Sequence, residues 1–249
     1  MPDLASEFVR HPVTAMFADN LPAAVAARAA TGTIPIVFAI GGDPIRDGLV
    51  TSLSRPTSNL TGVTIFAGEL LPKRLELLRE LVPKADLVAV FINPTNPNLS
   101  TRLQDMQAAA RRMGLQLFTV NASNESDIDI AFAAVVRAGA SSLLVIDDGF
   151  FADHREQIVA LAARHALPTS YPSSQYVRDG GLMGYTDDRF ESIRQVGRYV
   201  GRILKGEKPA DLPVLQPTKF GFAINLKTAK ALGLTIPETL LATADEVIQ

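Results

Sequence analysis

Short apolar runs alternate with longer segments of helical periodicity along the whole chain. Most of the short runs are apolar at nearly every position, which is typical of strands covered by helices on both faces. The predicted strands occupy residues 13–18, 34–40, 60–65, 87–92, 115–120, 141–146, 182–185 and 220–224. Strands that alternate with helices favour consecutive βα units around parallel sheets, so the pattern predicts an α/β fold.

The segments between the strands carry local signals for the beginnings and ends of helices. Asp153 lies three residues before Glu156, and Asp188 lies three residues before Glu191. This is the spacing of a capping box, in which the two side chains satisfy free backbone N–H groups. Three helical patterns stop where a left-handed residue is favoured. These positions are Gly114, Gly206 and Gly233.

Three stretches are candidates for crossings between two lobes, at residues 81–86, 180–187 and 208–220. The last of them is rich in proline, which interrupts helices and favours extended chain. We therefore predict two doubly wound parallel-sheet lobes joined by a hinge. The first lobe is expected to contain residues 1–84 and about 187–215, and the second residues 85–186 and about 216–249.

Composition narrows the classes of function. The chain has 249 residues of which 47% are hydrophobic, enough to bury a core. Its formal charge of -2, without a basic stripe, argues against nucleic acid as a partner. No apolar run is long enough to span a membrane, and the first residues lack the pattern of a secretory signal.

Motifs of catalysis and of cofactor binding are missing from the sequence. It contains no G-x-G-x-x-G, no P-loop and no G-x-S-x-G, so we predict neither an enzyme nor a bound cofactor. Asp147, Asp148, Asp153 and His154 invite a metal or acid/base interpretation. No second histidine stands at the spacing of metal ligands, however, and we predict no metal site.

In open α/β sheets, ligands bind beyond the carboxyl ends of the strands. The residues that follow the predicted strands are therefore the candidate ligand-binding residues. They are Asn20, Gly41, Gly42, Asp43, Phe66, Asn93, Asn96, Asp147, Asp148, Tyr171, Ser174, Tyr185 and Asp187. A carboxylate among them would bind an ammonium or hydroxyl group, and the aromatic rings would stack on a flat side chain. The alternatives are turn and capping roles for the glycines and aspartates and core packing for the rings.

Five stretches give the sequence a resemblance to a known family, in family order and over nearly the whole chain. They are IPIVFAIGGDPIRDGLVTSLSRPTSNLTGVT, LPKRLELLRELVPKADLVAVFINPTNPN, QIVALAARHALPTSYP, GGLMGYT and GRILKGEKPADLPVLQPTKFGFAINLKTAKALGLTIPETLLATADEVI. The chain resembles ABC-transporter substrate-binding proteins with a type I periplasmic-binding fold, a family that includes binders of aromatic amino acids. The resemblance implies a small polar ligand, expected to be an amino acid, in a cleft between the lobes. It also implies a membrane permease as partner and a periplasmic location.

The resemblance departs from the family at the front of the chain. Family members usually carry a signal peptide, a first strand and helix, and a second strand upstream. We therefore expect an incomplete first lobe with an open edge at residues 13–18. Either a second copy of the chain pairs this edge in a homodimer, or the open edge makes the chain poorly soluble. If the start is genuine, the location would be cytoplasmic. The competing functions are a truncated paralogue that acts as a non-catalytic interaction module and a flavodoxin-like enzyme.

Overall fold

We describe the fold from a computed structural model, which describes residues 2–11, 13–56, 58–64, 67–96, 99–187, 189–216 and 220–249. The strands are β1 (Met16–Ala18), β2 (Ile36–Ile40), β3 (Leu60–Thr64), β4 (Leu87–Ile92), β5 (Gln116–Asn121), β6 (Ser142–Val145), β7 (Thr169–Tyr171), β8 (Met183–Asp187), β9 (Phe220–Asn225) and β10 (Glu246–Ile248). The α-helices are α1 (Pro2–Arg10), α2 (Leu21–Ala30), α3 (Ala67–Leu81), α4 (Leu99–Met113), α5 (Glu125–Arg137), α6 (Gly149–Asp153), α7 (Arg155–Arg164), α8 (Ser174–Arg178), α9 (Arg189–Leu204), α10 (Leu226–Ala231) and α11 (Glu238–Thr243). A short 3-10 helix covers Pro209–Asp211.

The chain divides into two compact units. The first contains Met1–Ala67 and Asp187–Lys219, and the second contains Gly68–Thr186 and Phe220–Gln249. The predicted boundary at residue 84 differs from this division, because α3 belongs almost wholly to the second unit. Its buried residues Leu75 and Leu78 pack in the core of that unit.

The first unit is built on a three-stranded parallel sheet in the order β1-β2-β3. Every residue of β2 is buried. Ile36, Phe38 and Ile40 pack in the same cluster as residues of α2, whereas Val37 and Ala39 pack in a cluster with residues of α9. Burial on both faces explains why β2 has no alternation of polar and apolar positions.

Strand β1 lies at the edge of this sheet and is shorter than the predicted strand at residues 13–18. Its pairing with β2 begins at Met16, opposite Ile36. Phe17 is 50% exposed, whereas the flanking Met16 and Ala18 are buried. Helix α9 packs against β2 and β3, and the ring of Phe17 faces water.

The second unit is built on a seven-stranded sheet in the order β10-β9-β8-β7-β6-β4-β5. Strand β4 is the first strand of this sheet along the chain. Strand β5 pairs with one side of β4, and β6, β7 and β8 follow in order on its other side. The direction of winding therefore reverses at β4, which is the topological switch point where α/β sheets open a crevice. In the core of this unit, Phe91 of β4 packs edge-on to Phe132 at 5.0 Å and stacks with Phe151 at 5.8 Å.

The predicted ends of helices agree with the structure better than the predicted caps. Backbone φ is positive at the three predicted helix ends, which confirms that assignment. The capping box at Asp153 is wrong, because Asp153 ends α6 and α7 begins at Arg155 after His154. The cap predicted at Asp188 lies outside the described residues. Strands β7 and β10 are additional to the prediction, and each has three residues.

Candidate functional site

Four of the candidate residues meet at the switch point of the second unit. Asn93 follows β4, and Asp148 follows β6, the neighbouring strand. The side-chain amide Nδ2 of Asn93 donates to Oδ1 of Asp148 at 3.0 Å, and Nδ2 of Asn96 donates to Oδ2 at 2.7 Å. The fold thus joins loops that are more than fifty residues apart in sequence.

Asp148 is the centre of this network and also the N-cap of α6. Its Oδ1 accepts a third hydrogen bond, at 3.0 Å, from the backbone N–H of Phe150. Asn93 is buried, and its Oδ1 accepts from both the N–H and the hydroxyl of Thr95. The Asp148 carboxylate therefore caps α6, as N-cap aspartates do, and in addition binds the side chains of Asn93 and Asn96.

Asp147 has a different environment although it is the adjacent residue. Its backbone carbonyl accepts a hydrogen bond of 2.8 Å from Nη1 of Arg102 on α4, which fixes the chain at this point. Its side chain is exposed. The carboxylate makes no hydrogen bond or ion pair with any residue that the structure describes. It is therefore the carboxylate of the pair that is open to a ligand.

Arg74 of α3 lies at the same edge of the sheet and is not among the residues predicted from the sequence. Its guanidinium donates through Nη2 to the carbonyls of Val145 and Ser170, both at 2.7 Å, and through Nε to the hydroxyl of Ser170 at 3.3 Å. These acceptors lie near the carboxyl ends of β6 and β7. A signal was present in the sequence, since Arg74 stands on the same helix face as the buried Leu71, Leu75 and Leu78.

Two tyrosines lie at and just after the end of β7, Tyr171 as its last residue and Tyr176 on α8. The rings of Tyr171 and Tyr176 stack at 5.0 Å with an interplanar angle of 18°. Tyr171 is only 1% exposed, so its ring contacts protein in this structure. Ser174 is the first residue of α8 and is half-buried. The hydroxyl oxygen of Tyr176 is buried and has no hydrogen-bond partner within the described part of the chain.

Tyr185 lies near the carboxyl end of β8 beside a second aromatic ring. It stacks on Phe220 at 5.9 Å with an interplanar angle of 12°, and Phe220 is partly exposed. Burial, with a smaller effect of Asp245, raises the pKa of Tyr185. Asp187 ends β8, but its side chain lies outside the described residues, as does the whole of Phe66.

The candidates of the first unit lie at the carboxyl ends of β1 and β2. Asn20 caps α2 by accepting from the N–H of Ala23 at 2.9 Å, and Asp43 accepts from the N–H of Ile45 at 2.9 Å. Gly41 and Gly42 follow β2 directly. The side chains of Asn20 and Asp43 thus make local capping bonds. They also lie beyond the carboxyl ends of strands, where ligands bind in open α/β sheets.

The described residues form neither a metal site nor a membrane span. Within the described ranges, no group of three His, Asp or Glu side chains is arranged to hold a metal ion. No helix formed by the described residues is both long enough and apolar enough to cross a membrane.

Comparison with known proteins defines the family to which this chain belongs. The family described as ABC transporter substrate binding protein matches residues 4–248, and the chain belongs to that family. The type I periplasmic-binding fold predicted from the sequence is confirmed by this match and by solved structures. Members of this family bind substrates and are not enzymes.

Three relatives show the extent of the similarity. The Tyrosine-binding protein of Clostridioides difficile (strain R20291) is 26% identical over 231 residues, which are 93% of this chain and 66% of that protein, slightly less than two thirds. A conserved domain protein from Vibrio cholerae O1 biovar eltor is 28% identical with a TM-score of 0.84, over 99% of this chain and 84% of that one. An ABC domain in complex with L-Trp from Streptococcus pneumonia is 27% identical with a TM-score of 0.82, over 99% and 85%.

Proposed function

We propose that this protein is the solute-binding component of an ABC-type uptake system and that its ligand is an amino acid. The observation that carries the proposal is the open carboxylate of Asp147 at the switch point of the second unit. A charged acceptor at this position is suited to the ammonium group that all amino acids share. The neighbouring Asp148 and the two asparagines would hold the loop in the geometry that presents it.

An aromatic amino acid is the ligand that the relatives favour. One relative is called a tyrosine-binding protein, and another was solved in complex with L-Trp. In this chain, the stacked rings of Tyr185 and Phe220 offer a partly exposed aromatic surface at the end of β8. Such a surface would stack on a flat side chain. The remaining candidates, in the first unit and among the undescribed side chains, stay predictions of ligand contact.

A thermal-shift screen of the natural amino acids tests the ligand class. A ligand that binds only the folded protein at 100 times its Kd stabilises it by about 2.7 kcal/mol, a readily measured rise in Tm. We expect tyrosine or tryptophan to give the largest rise. If none of the amino acids raises Tm, the proposed ligand class is wrong and the non-catalytic interaction module becomes the better account.

Isothermal titration with two matched variants tests the role of Asp147. Asp147→Asn keeps the shape of the side chain but removes its charge, and we expect affinity to fall roughly 10- to 100-fold, since a hydrogen bond to a charged group contributes about 1.5–3 kcal/mol. Asp153→Asn is the control, because Asp153 is also exposed but ends α6. Equal affinities of the two variants would remove Asp147 from the site.

The partner and the location follow from the same proposal. A solute-binding component of this kind would deliver its ligand to a membrane permease and would work in the periplasm or outside the cell membrane. Fractionation of cells that express the native gene, with the protein detected by antibody, tests the location. Detection only in the cytoplasm would contradict it.

A further inference from the structure

The charge of Arg74 is buried without a carboxylate bonded to it. The side chain is 2% exposed, and burial lowers the pKa of its guanidinium to about 9. Its acceptors are two carbonyls and one hydroxyl, and it forms no ion pair with an aspartate or glutamate of the described chain. A buried cation that is held only by neutral groups is costly unless a negative charge approaches it.

The position of Arg74 connects it to the candidate site. Strands β6 and β7 pair from Leu143 to Leu144 of β6, opposite Thr169 and Ser170 of β7. The guanidinium bonds to carbonyls at and just beyond the end of this pairing. Asp147 follows β6 by two residues and is near enough to act electrostatically on Arg74. The buried positive charge and the open carboxylate therefore lie at the same edge of the sheet.

Two donors at this place make no hydrogen bond within the described chain, and the Tyr176 hydroxyl is the one that is also fully buried. Nη1 of Arg74 makes no hydrogen bond to a residue that the structure describes, although Nε and Nη2 are engaged. The hydroxyl of Tyr176, on a side chain 2% exposed, is buried and also without a partner in the described chain. Tyr176 is within electrostatic reach of both Arg74 and Asp147. A buried hydroxyl without an acceptor is costly, and Nη1 carries a positive charge beside it, so the two donors are suited to a negatively charged acceptor group.

We propose that Arg74 and Tyr176 form a carboxylate-binding sub-site, in which Nη1 and the phenolic hydroxyl donate to the carboxylate of an amino acid whose ammonium group lies at Asp147. The inference rests on the proposed function and adds residues and a charge preference to it. The site would place a positive and a negative group at the positions that a zwitterion requires. A ligand that lacks the carboxylate would leave the buried Tyr176 hydroxyl unpaired and the charge of Arg74 without a countercharge.

Calorimetric titration with matched acid and amine ligands tests this sub-site. L-Tyrosine is compared with tyramine, and L-tryptophan with tryptamine, which differ only by the carboxylate. We expect the wild-type protein to bind each amino acid at least 10-fold more tightly than its amine. Tyr176→Phe keeps the ring that stacks on Tyr171 and should weaken the amino acid roughly 3- to 10-fold, with the amine unchanged.

Two further variants complete the design. Arg74→Gln should weaken the amino acid more than Tyr176→Phe does, and again should leave the amine unchanged. Tyr199→Phe is the control, because the Tyr199 hydroxyl bonds to the Pro213 carbonyl in the first unit. It should change neither affinity.

The outcomes separate the inference from the function on which it rests. Equal losses for acid and amine in both variants would mean that Arg74 and Tyr176 are only structural, and the sub-site would be wrong while the proposed function stands. Equal wild-type affinity for acid and amine, or no effect of either variant, would have the same meaning. Wild-type protein that binds neither the amino acids nor their amines would overturn the proposed function and this sub-site together.

Discussion

Replacing Asp148 by alanine should destabilise the second unit markedly, because one side chain holds three donors. Loss of the cap on α6 costs about 1 kcal/mol. The amide of Asn93 is buried and would be left without its acceptor, which costs about 1–3 kcal/mol. Asn96 is half-buried and can turn to water at small cost. We therefore expect the free energy of unfolding to fall by about 2–4 kcal/mol.

Urea unfolding followed by circular dichroism measures this loss, with Asp153→Ala as the matched control. Asp153 is an exposed aspartate in the same segment, and its replacement should change stability by no more than about 0.5 kcal/mol. Asp148→Asn should fall between the two, since asparagine is a good N-cap but presents an amide to the amides of Asn93 and Asn96. If Asp148→Ala and Asp153→Ala unfold at the same urea concentration, the network does not stabilise the loops and the reasoning is refuted.

The first unit offers three further tests. Gly62→Ala would place a Cβ against the backbone oxygen and ring of Phe38 and should cost about 2–3 kcal/mol in urea unfolding, whereas Gly32→Ala, which meets open space, should be nearly neutral. Burial raises the pKa of Asp47, so the carboxylate destabilises the fold as pH rises through that pKa. Asp47→Asn should therefore raise Tm at about pH 7 and match wild type at about pH 3. The exposed Phe17 at the edge strand β1 predicts self-association of the 249-residue chain, which Phe17→Lys should weaken in light scattering. A monomeric wild-type chain would contradict this.

Strands that are buried on both faces of a sheet were predictable, because they appear in the sequence as continuous apolar runs. Strands β2 and β4 are of this kind, and the sequence located both within two residues. Strand β7 was missed because its residues Thr169, Ser170 and Tyr171 carry hydroxyl groups, although all three are buried. The Thr169 hydroxyl bonds to the Leu167 carbonyl, and the Ser170 hydroxyl accepts from a distant arginine. The pattern of neighbouring residues does not reveal that a distant arginine binds the Ser170 hydroxyl, so hydropathy alone does not identify the strand.

The sequence predicted which loops form the candidate site but not which side-chain atoms are open to a ligand. The strand-end rule selected Asn93, Asn96, Asp147 and Asp148, and the structure brings their loops together. Which of the two aspartates is open depends on hydrogen bonds between loops that are far apart in sequence, and no spacing rule reveals it. Arg74 was not predicted as a site residue because an arginine in a charged helix is usually solvated. Only its coincidence with the buried leucine face distinguishes it from Lys73 and Arg79.

The separation of charge at this edge would allow the proposed site both to attract and to select a zwitterion. Asp147 is exposed and screened by water, whereas Arg74 is buried, where the effective dielectric constant is lower. A ligand that displaces water would strengthen both attractions at once. A free amine would gain only at Asp147 and would keep the buried cation without a countercharge, and a simple acid would gain only at Arg74. Selectivity for amino acids would therefore arise from these two charges together, and the aromatic pair of Tyr185 and Phe220 would decide among side chains.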